Sequence, residues 1–414
     1  MVRKTAIIAS GAAVAVVVAV AVLFLLQSTP TRPAEPIRIG LVVPLSSPGA
    51  YTQGEEIKQG AEIAVEEVNA KGGIRGRQIV LYVEDSQGLP EKGRAVVEKL
   101  ITRDSVHAIV GEYHSAVAMA EIEVINRYGI PMVLASTWAD ALREKEYAPV
   151  FNVSPYNAGN ADHIVKFLMH IGATTVIMLN EDTDYGVGLA KAMQDAIRRL
   201  NAPIRFSSET VERTSKDFTP VLLKYKTTPP DILVTAVTPP GGFLLWKQAY
   251  EVGLAPTAKT LLYDASGSFQ RYTEMWPAVG KGGQYMAGFA PYAPHMKLTE
   301  TGKKVVETFK QKYGREPTYL VMQGYDAMKA MLTAIQTADS TEPGKIIQAL
   351  REISFEGTRG TIKFSKERGV YFQQWKEIPV LSLQYTQVDQ SIAEATILFP
   401  VEYATGRLAR PPSS

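Results

Sequence analysis

The stretch that decides the fold is Ala108–Glu121, AIVGEYHSAVAMAE. Ala108-Ile109-Val110-Gly111 is a short, largely β-branched run stopped by a glycine, and Ala116 to Glu121 reads as helix. His114 and Ser115 stand between, where a parallel strand turns into a helix and α/β proteins hold their ligands. Two uses suit that pair: half of a catalytic centre, or a helix start at which Ser115 caps the backbone and offers a hydroxyl and free N–H groups to an anion.

The alternation continues on both sides. Ile37 to Val43 is a buried strand, followed by Ile57, Ala61, Ala64, Val65 and Val68 at helical spacing and a stop at Lys71-Gly72-Gly73. Gln78 to Val83 is the next strand. Pro90-Glu91 opens a helix carrying Val96, Val97, Leu100 and Ile101 on its apolar side. Val106 to Val110 is a strand, Ala116 to Arg127 a helix and Pro131 to Ala135 a strand. A second series begins past Phe151-Asn-Val-Ser-Pro155. Its strands are Thr174 to Leu179, Ile232 to Ala236 and Thr260 to Tyr263; its helices are Asp162 to Ile171, Val187 to Leu200 and Phe243 to Val252. Three helices follow, at Leu298 to Tyr313, Tyr319 to Thr337 and Pro343 to Ile353, and two short β segments, at Tyr371 to Trp375 and Pro379 to Gln384. The class is α/β: two doubly wound parallel-sheet halves and a returning C-terminal segment, forming two lobes around a cleft.

At 414 residues the chain exceeds one ordinary core, and 46% hydrophobic with 21% charged residues is a globular composition. Arg3 and Lys4 precede Ala6 to Leu26, apolar except for Ser10 and about 30 Å long as a helix. Residues 1–36 are therefore expected to be a signal or anchor helix followed by a proline-rich spacer, with the remainder outside the cytoplasmic membrane. The run lacks an A-x-A cleavage pattern, which favours an uncleaved anchor over a cleaved signal. The chain has no cysteine, so neither a lipidated cysteine nor a disulfide is available. Beyond the tail, acidic and basic residues nearly balance, which gives no argument for nucleic acid.

Catalytic and cofactor motifs are absent. The sequence holds no G-x-x-x-x-G-K-[ST], no H-E-x-x-H and no G-x-S-x-G. His163 and His170 lie seven apart on one expected helix, too far to share a metal ion. Lys71 to Gly76 follows a helix and precedes a strand, the reverse of a dinucleotide loop. No third group is legible to orient His114 on Ser115, so catalysis is set aside, and neither metal nor cofactor is expected. A second strand end, Ile130-Pro-Met-Val-Leu-Ala-Ser-Thr-Trp138, places Ser136 and Thr137 beside Ser115, and two such ends in a cleft suit a carboxylate.

These residues resemble the branched-chain amino-acid-binding proteins of ABC transporters. The similarity runs through Glu67-Val-Asn-Ala-Lys-Gly-Gly-Ile-Arg-Gly-Arg77, Val83-Glu84-Asp85-Ser86, Ile109-Val110-Gly111 to Ser115 and Asp184-Tyr185-Gly186-Val187-Gly188. It continues through Lys216-Asp217-Phe218-Thr219-Pro220, Gly324-Tyr325-Asp326-Ala327 and Phe364-Ser365 to Gly369, covering 37–404 in order. The resemblance implies a type I periplasmic-binding fold with a three-strand hinge, crossing near Ser154-Pro155, Ala290-Pro291 and Ser365. One lobe would be 37–154 with 291–365, the other 155–290 with 366–404, and 405–414 a tail.

By the same resemblance, Ser115 and the segment Ser136, Thr137 and Trp138 hold the ligand carboxylate. Carbonyls there and an acidic residue of the other lobe, placed at Asp264, hold the ammonium, and Tyr185 closes over the ligand. Tyr51 or Gln53 walls the first strand, and His114 stands beside Ser115. Two positions depart from the family: Trp138, commonly a threonine, and Thr238, an aromatic in one branch. Tryptophan keeps its backbone N–H but accepts no hydrogen bond, and its ring suits a flat ligand. The resulting expectation is a receptor for a small amino-acid-like ligand that delivers it to an ABC permease. A sensor without a transporter, an amidase-like enzyme, and a binder of amides, urea or aromatic acids are the competing readings.

Overall fold

The computed structural model describes residues 35–412. The expected helix Ala6 to Leu26 lies outside them; among the described residues no helix is long and apolar enough to cross a membrane.

The first half winds as β1 (Ile37–Val43), α1 (Tyr51–Ala70), β2 (Ile79–Asp85), α2 (Pro90–Thr102), β3 (Ala108–Gly111), α3 (Ser115–Tyr128), β4 (Met132–Leu134), α4 (Ala141–Glu144) and β5 (Val150–Asn152). Its strands form an all-parallel sheet in the order β2-β1-β3-β4-β5. β1 and β3 are almost wholly buried apolar runs, as a sheet covered on both faces requires.

The second half continues as α5 (Asn157–His170), β6 (Thr175–Glu181), α6 (Asp184–Arg199), β7 (Arg205–Val211), α7 (Thr219–Lys226), β8 (Ile232–Ala236), α8 (Gly241–Glu251), β9 (Leu261–Asp264), α9 (Tyr272–Val279) and β10 (Ala287–Ala290). The chain then returns through α10 (Glu300–Tyr313), α11 (Tyr319–Ala338) and α12 (Pro343–Glu352), a hairpin of β11 (Ser354–Glu356) and β12 (Thr361–Lys363), and β13 (Leu381–Gln384) and β14 (Thr396–Phe399). The second sheet runs β14-β13-β10-β9-β8-β6-β7, with β13 antiparallel to both neighbours.

Although late in sequence, α11 belongs to the first lobe, packed along α1. Two glycines allow the close approach: a Cβ on Gly60 would lie 2.1 Å from the Val321 carbonyl oxygen, and one on Gly324 2.1 Å from that of Ile57. The chain passes between the sheets after β5, after β10 and before β13. The last passage differs from the expected one at Ser365. Residues 365 and 373–374 pair with each other, and Gln374 bridges Asn152 at the edge of the first sheet, so the crossing falls at 376–380. Tyr371 to Trp375 is likewise not a strand: it leaves a 3₁₀ turn over Gly369–Tyr371 and makes one bridge at Gln374, because Gln373 (φ 51°) is left-handed and interrupts any extended run.

The lobes also meet through charge. Arg271, just before α9, donates from Nη1 to Glu56 Oε2 of α1 at 2.6 Å. Glu56 further accepts from Arg315 Nη1 at 2.9 Å and Thr318 Oγ1 at 2.8 Å, and Arg271 pairs with Glu274. The Arg271 and Glu56 side chains are 3% and 6% exposed.

Candidate ligand-binding site

Between the lobes, at the carboxyl ends of the strands, lies a cavity of about 190 Å³. A dry cavity of about 150 Å³ accommodates benzene, so this one suits a small molecule. The first lobe contributes Tyr113, His114, Ser115, Ser136, Trp138 and Tyr319; the second contributes Glu181, Thr183, Tyr185, Arg213, Thr238 and Ser266.

On the first lobe, β3 ends at Gly111 against β1, where a Cβ would stand 2.1 Å from the Val42 carbonyl oxygen. Side chains are therefore deferred to the next residues. Ser115 is not the N-cap of α3: His114 holds that place, without a side-chain cap bond. Ser115 Oγ instead accepts the backbone N–H groups of Trp138 and Ala139, each at 3.1 Å. The Trp138 N–H is thus turned to Ser115, and the serine's own hydrogen remains to donate. The N–H groups of the first turn of α3 have no partner within the helix and stand beside it.

Strand alternation then separates the neighbouring segment: Ser136 and Trp138 line the cavity, and Thr137 turns away from it. The Thr137 carbonyl accepts from Arg143, Asn152 and Ser154, and its hydroxyl accepts from Asn152. Ser136 Oγ and Trp138 Nε1 are buried without any hydrogen-bond partner. The Trp138 ring meets Tyr185 edge-on at 5.9 Å, Phe289 at 5.6 Å and Tyr319 at 6.0 Å, so aromatic groups of both lobes form one wall. His114 Nε2 accepts the Ala50 N–H, and burial depresses its pKa to about 3, leaving the ring neutral.

On the second lobe, Tyr185 stands in the first turn of α6, which Thr183 caps, and donates its hydroxyl to the Ala265 carbonyl at 3.1 Å. The acid facing the cavity is Glu181, at the end of β6. Oε1 accepts from Thr183 Oγ1 at 2.6 Å, and Oε2 from the Thr238 N–H at 2.7 Å and hydroxyl at 2.8 Å. Burial raises its pKa, opposed by those donors and by Arg213. Arg213 is held beside it by its backbone N–H, which donates to Asp182 at 3.0 Å.

Besides Thr137, three expected positions lie elsewhere. Asp264 is fully buried, and its carboxylate accepts from the N–H and hydroxyl of Ser266 and the N–H of Phe269. Those bonds consume it in a local turn, and burial pushes its pKa up to about 6. Tyr51 is 58% exposed and flanks a separate groove beside Arg271 and Glu274; Gln53, though buried, does not line the cavity. Glu181 was discoverable from sequence, since it ends the strand over Thr175–Glu181 where ligands are expected. Arg213 and Tyr319 carried no such signal, because their place depends on loops and on the returning helix.

A family profile described as periplasmic binding protein matches residues 36–377. The chain belongs to that family. Its two-sheet architecture is the type I periplasmic-binding fold. This periplasmic binding protein is 27% identical over 348 residues to Leu/Ile/Val-binding protein homolog 7 of Brucella abortus (strain 2308), covering 80% of this chain and 84% of the relative. An amino acid binding protein of Pseudomonas aeruginosa is 25% identical over 319 residues, covering 76% and 82%. Among solved structures, the leucine binding protein LivK from Thermotoga maritima superposes with a TM-score of 0.76 at 23% identity, over 88% of this chain and 98% of that one. A solute binding protein from R. palustris in complex with benzoate gives 0.73 at 19%, over 92% and 98%.

Proposed function

We propose that this periplasmic binding protein is the receptor of an ABC importer, closing by hinge motion around a small amino-acid-like ligand and presenting it to the permease. The observation that carries the reading is the polarity of the cavity. Ser115, Ser136 and the first turn of α3 offer donors on one lobe, and Glu181 offers an acid on the other. A zwitterion bridging them lowers the free energy of the closed state alone, which is the differential contact that hinge closure requires. The names of the curated relatives support the amino-acid class. The lobes in this reading are 37–154 with 291–375 and 155–290 with 381–404. The receptor in this reading works outside the cytoplasmic membrane, and no chemistry is performed on the ligand.

A second ligand class, an aromatic acid, is favoured by the wall of Trp138, Tyr185 and Tyr319 and by the benzoate complex of a structural neighbour. Calorimetric titration of the full-length chain, unfolded and refolded to strip carried-over ligand, separates them. Tight one-to-one heat with an amino acid is expected. Heat from benzoate alone would replace the amino-acid reading, and silence from both would remove the receptor assignment for this cavity.

A further inference from the structure

The cavity holds more donors than an ordinary amino acid uses. Its one acid, Glu181, has both oxygens engaged by Thr183 and Thr238, and the accepting nitrogen of His114 is taken by the Ala50 N–H. Glu181 Oε1 keeps one lone pair for a ligand ammonium, and beside these acceptors stand the buried Ser136 hydroxyl and Trp138 indole N–H, neither with a partner. Arg213 also lines the cavity, and among the described residues its guanidinium has neither an ion pair nor a hydrogen bond.

Arg213 is a placed group. Its N–H is tied to Asp182, and α8 packs beside its carbonyl only because Gly241 has no Cβ, which would fall 2.6 Å from that oxygen. Arg213 lines the cavity together with Glu181 of its own lobe and with Tyr113 and His114 across the cleft. Glu181 is compensated by its own hydroxyl and N–H donors, which leaves the fork of Arg213 free for a planar anion. One ligand carboxylate satisfies the α3 end of the cavity. The Arg213 guanidinium and the partnerless indole N–H are left for another acceptor group.

We propose that the ligand carries a second carboxylate, received by Arg213, so that the receptor selects an acidic amino acid over a neutral one of the same shape. This rests on the amino-acid reading above and deepens it.

The test titrates full-length, refolded protein with matched probes: L-glutamate against L-glutamine, L-aspartate against L-asparagine, and glutarate against its monoamide, with L-leucine as reference. The acid is expected to bind at least tenfold more tightly than its amide, with that ratio falling below threefold in Arg213→Gln and partly retained in Arg213→Lys. Because each ratio is measured within one variant, loss of folded protein does not imitate the result. Equal or tighter binding of the amides, or a ratio unchanged in Arg213→Gln, overturns the proposal and leaves the receptor reading intact. Heat from leucine alone does the same. An acid preference confined to glutarate upholds Arg213 and overturns the amino-acid class, and no heat from any probe overturns both.

Discussion

The lobes touch in two kinds of place that differ in one respect. At Glu56 and Arg271 every charged group has its partners, and the ion pair holds without help. In the cavity, Ser136 and Trp138 keep buried polar atoms unpartnered. A satisfied buried pair fixes how the lobes sit together, whereas orphaned donors cost free energy that a ligand can recover. Selectivity is therefore expected to come from the unsatisfied region and alignment from the satisfied one.

Four changes test that contrast. The largest effect belongs to Glu56→Gln, which leaves the buried Arg271 only the more exposed Glu274 as an anion and should lower unfolding stability by about 3 kcal/mol. Denaturant titration measures it, and the double change Glu56→Leu with Arg271→Met should recover most of the loss. A cost near zero would erase the distinction between the two contacts. Ser115→Ala removes the acceptor of two N–H groups and a donor to the ligand, and should weaken carboxylate binding by about 1–3 kcal/mol. Undiminished affinity by calorimetry would take Ser115 out of the site.

A pH series reads the buried histidine. The folded pKa of His114, about 3, lies below its ordinary 6.5, so the unfolded chain binds the extra proton first. Its contribution is complete above pH 6.5 and is lost on acidification toward 3, by about 2 kcal/mol at pH 5. His114→Gln, which retains an acceptor for Ala50, should flatten that part of the thermal profile. The smallest change is Trp138→Phe. It removes the partnerless indole N–H, leaves the melting temperature level or slightly higher, and weakens an acceptor ligand by about 1 kcal/mol.

The parallel strands were legible because burial on both faces demands continuous apolar runs, as in β1 and β8. β7, RFSSETV, is a partly exposed edge strand whose polar residues conceal it, and β10, AGFA, is too short and small to announce itself. Convergence of strand ends in a doubly wound sheet pointed to Ser115, Ser136 and Thr137, of which the first two line the cavity and Thr137 turns away, while Trp138 entered through the family resemblance. Asp264 misled because a carboxylate at a strand end serves a turn as readily as a ligand. Arg213 and Tyr319 depend on where a loop and a distant helix come to rest, which no local pattern records.

The pairing of α1 with α11 also orders events in time. The buried face of α1, from Ile57 to Val65, remains uncovered until Ala338 has been synthesised. At about 5–20 residues per second, the first lobe waits roughly a quarter of a minute to a minute for the helix that completes it. A chain stopped short of α11 would leave the ribosome with that greasy stripe bare, a target for chaperones and proteases rather than a half-working receptor.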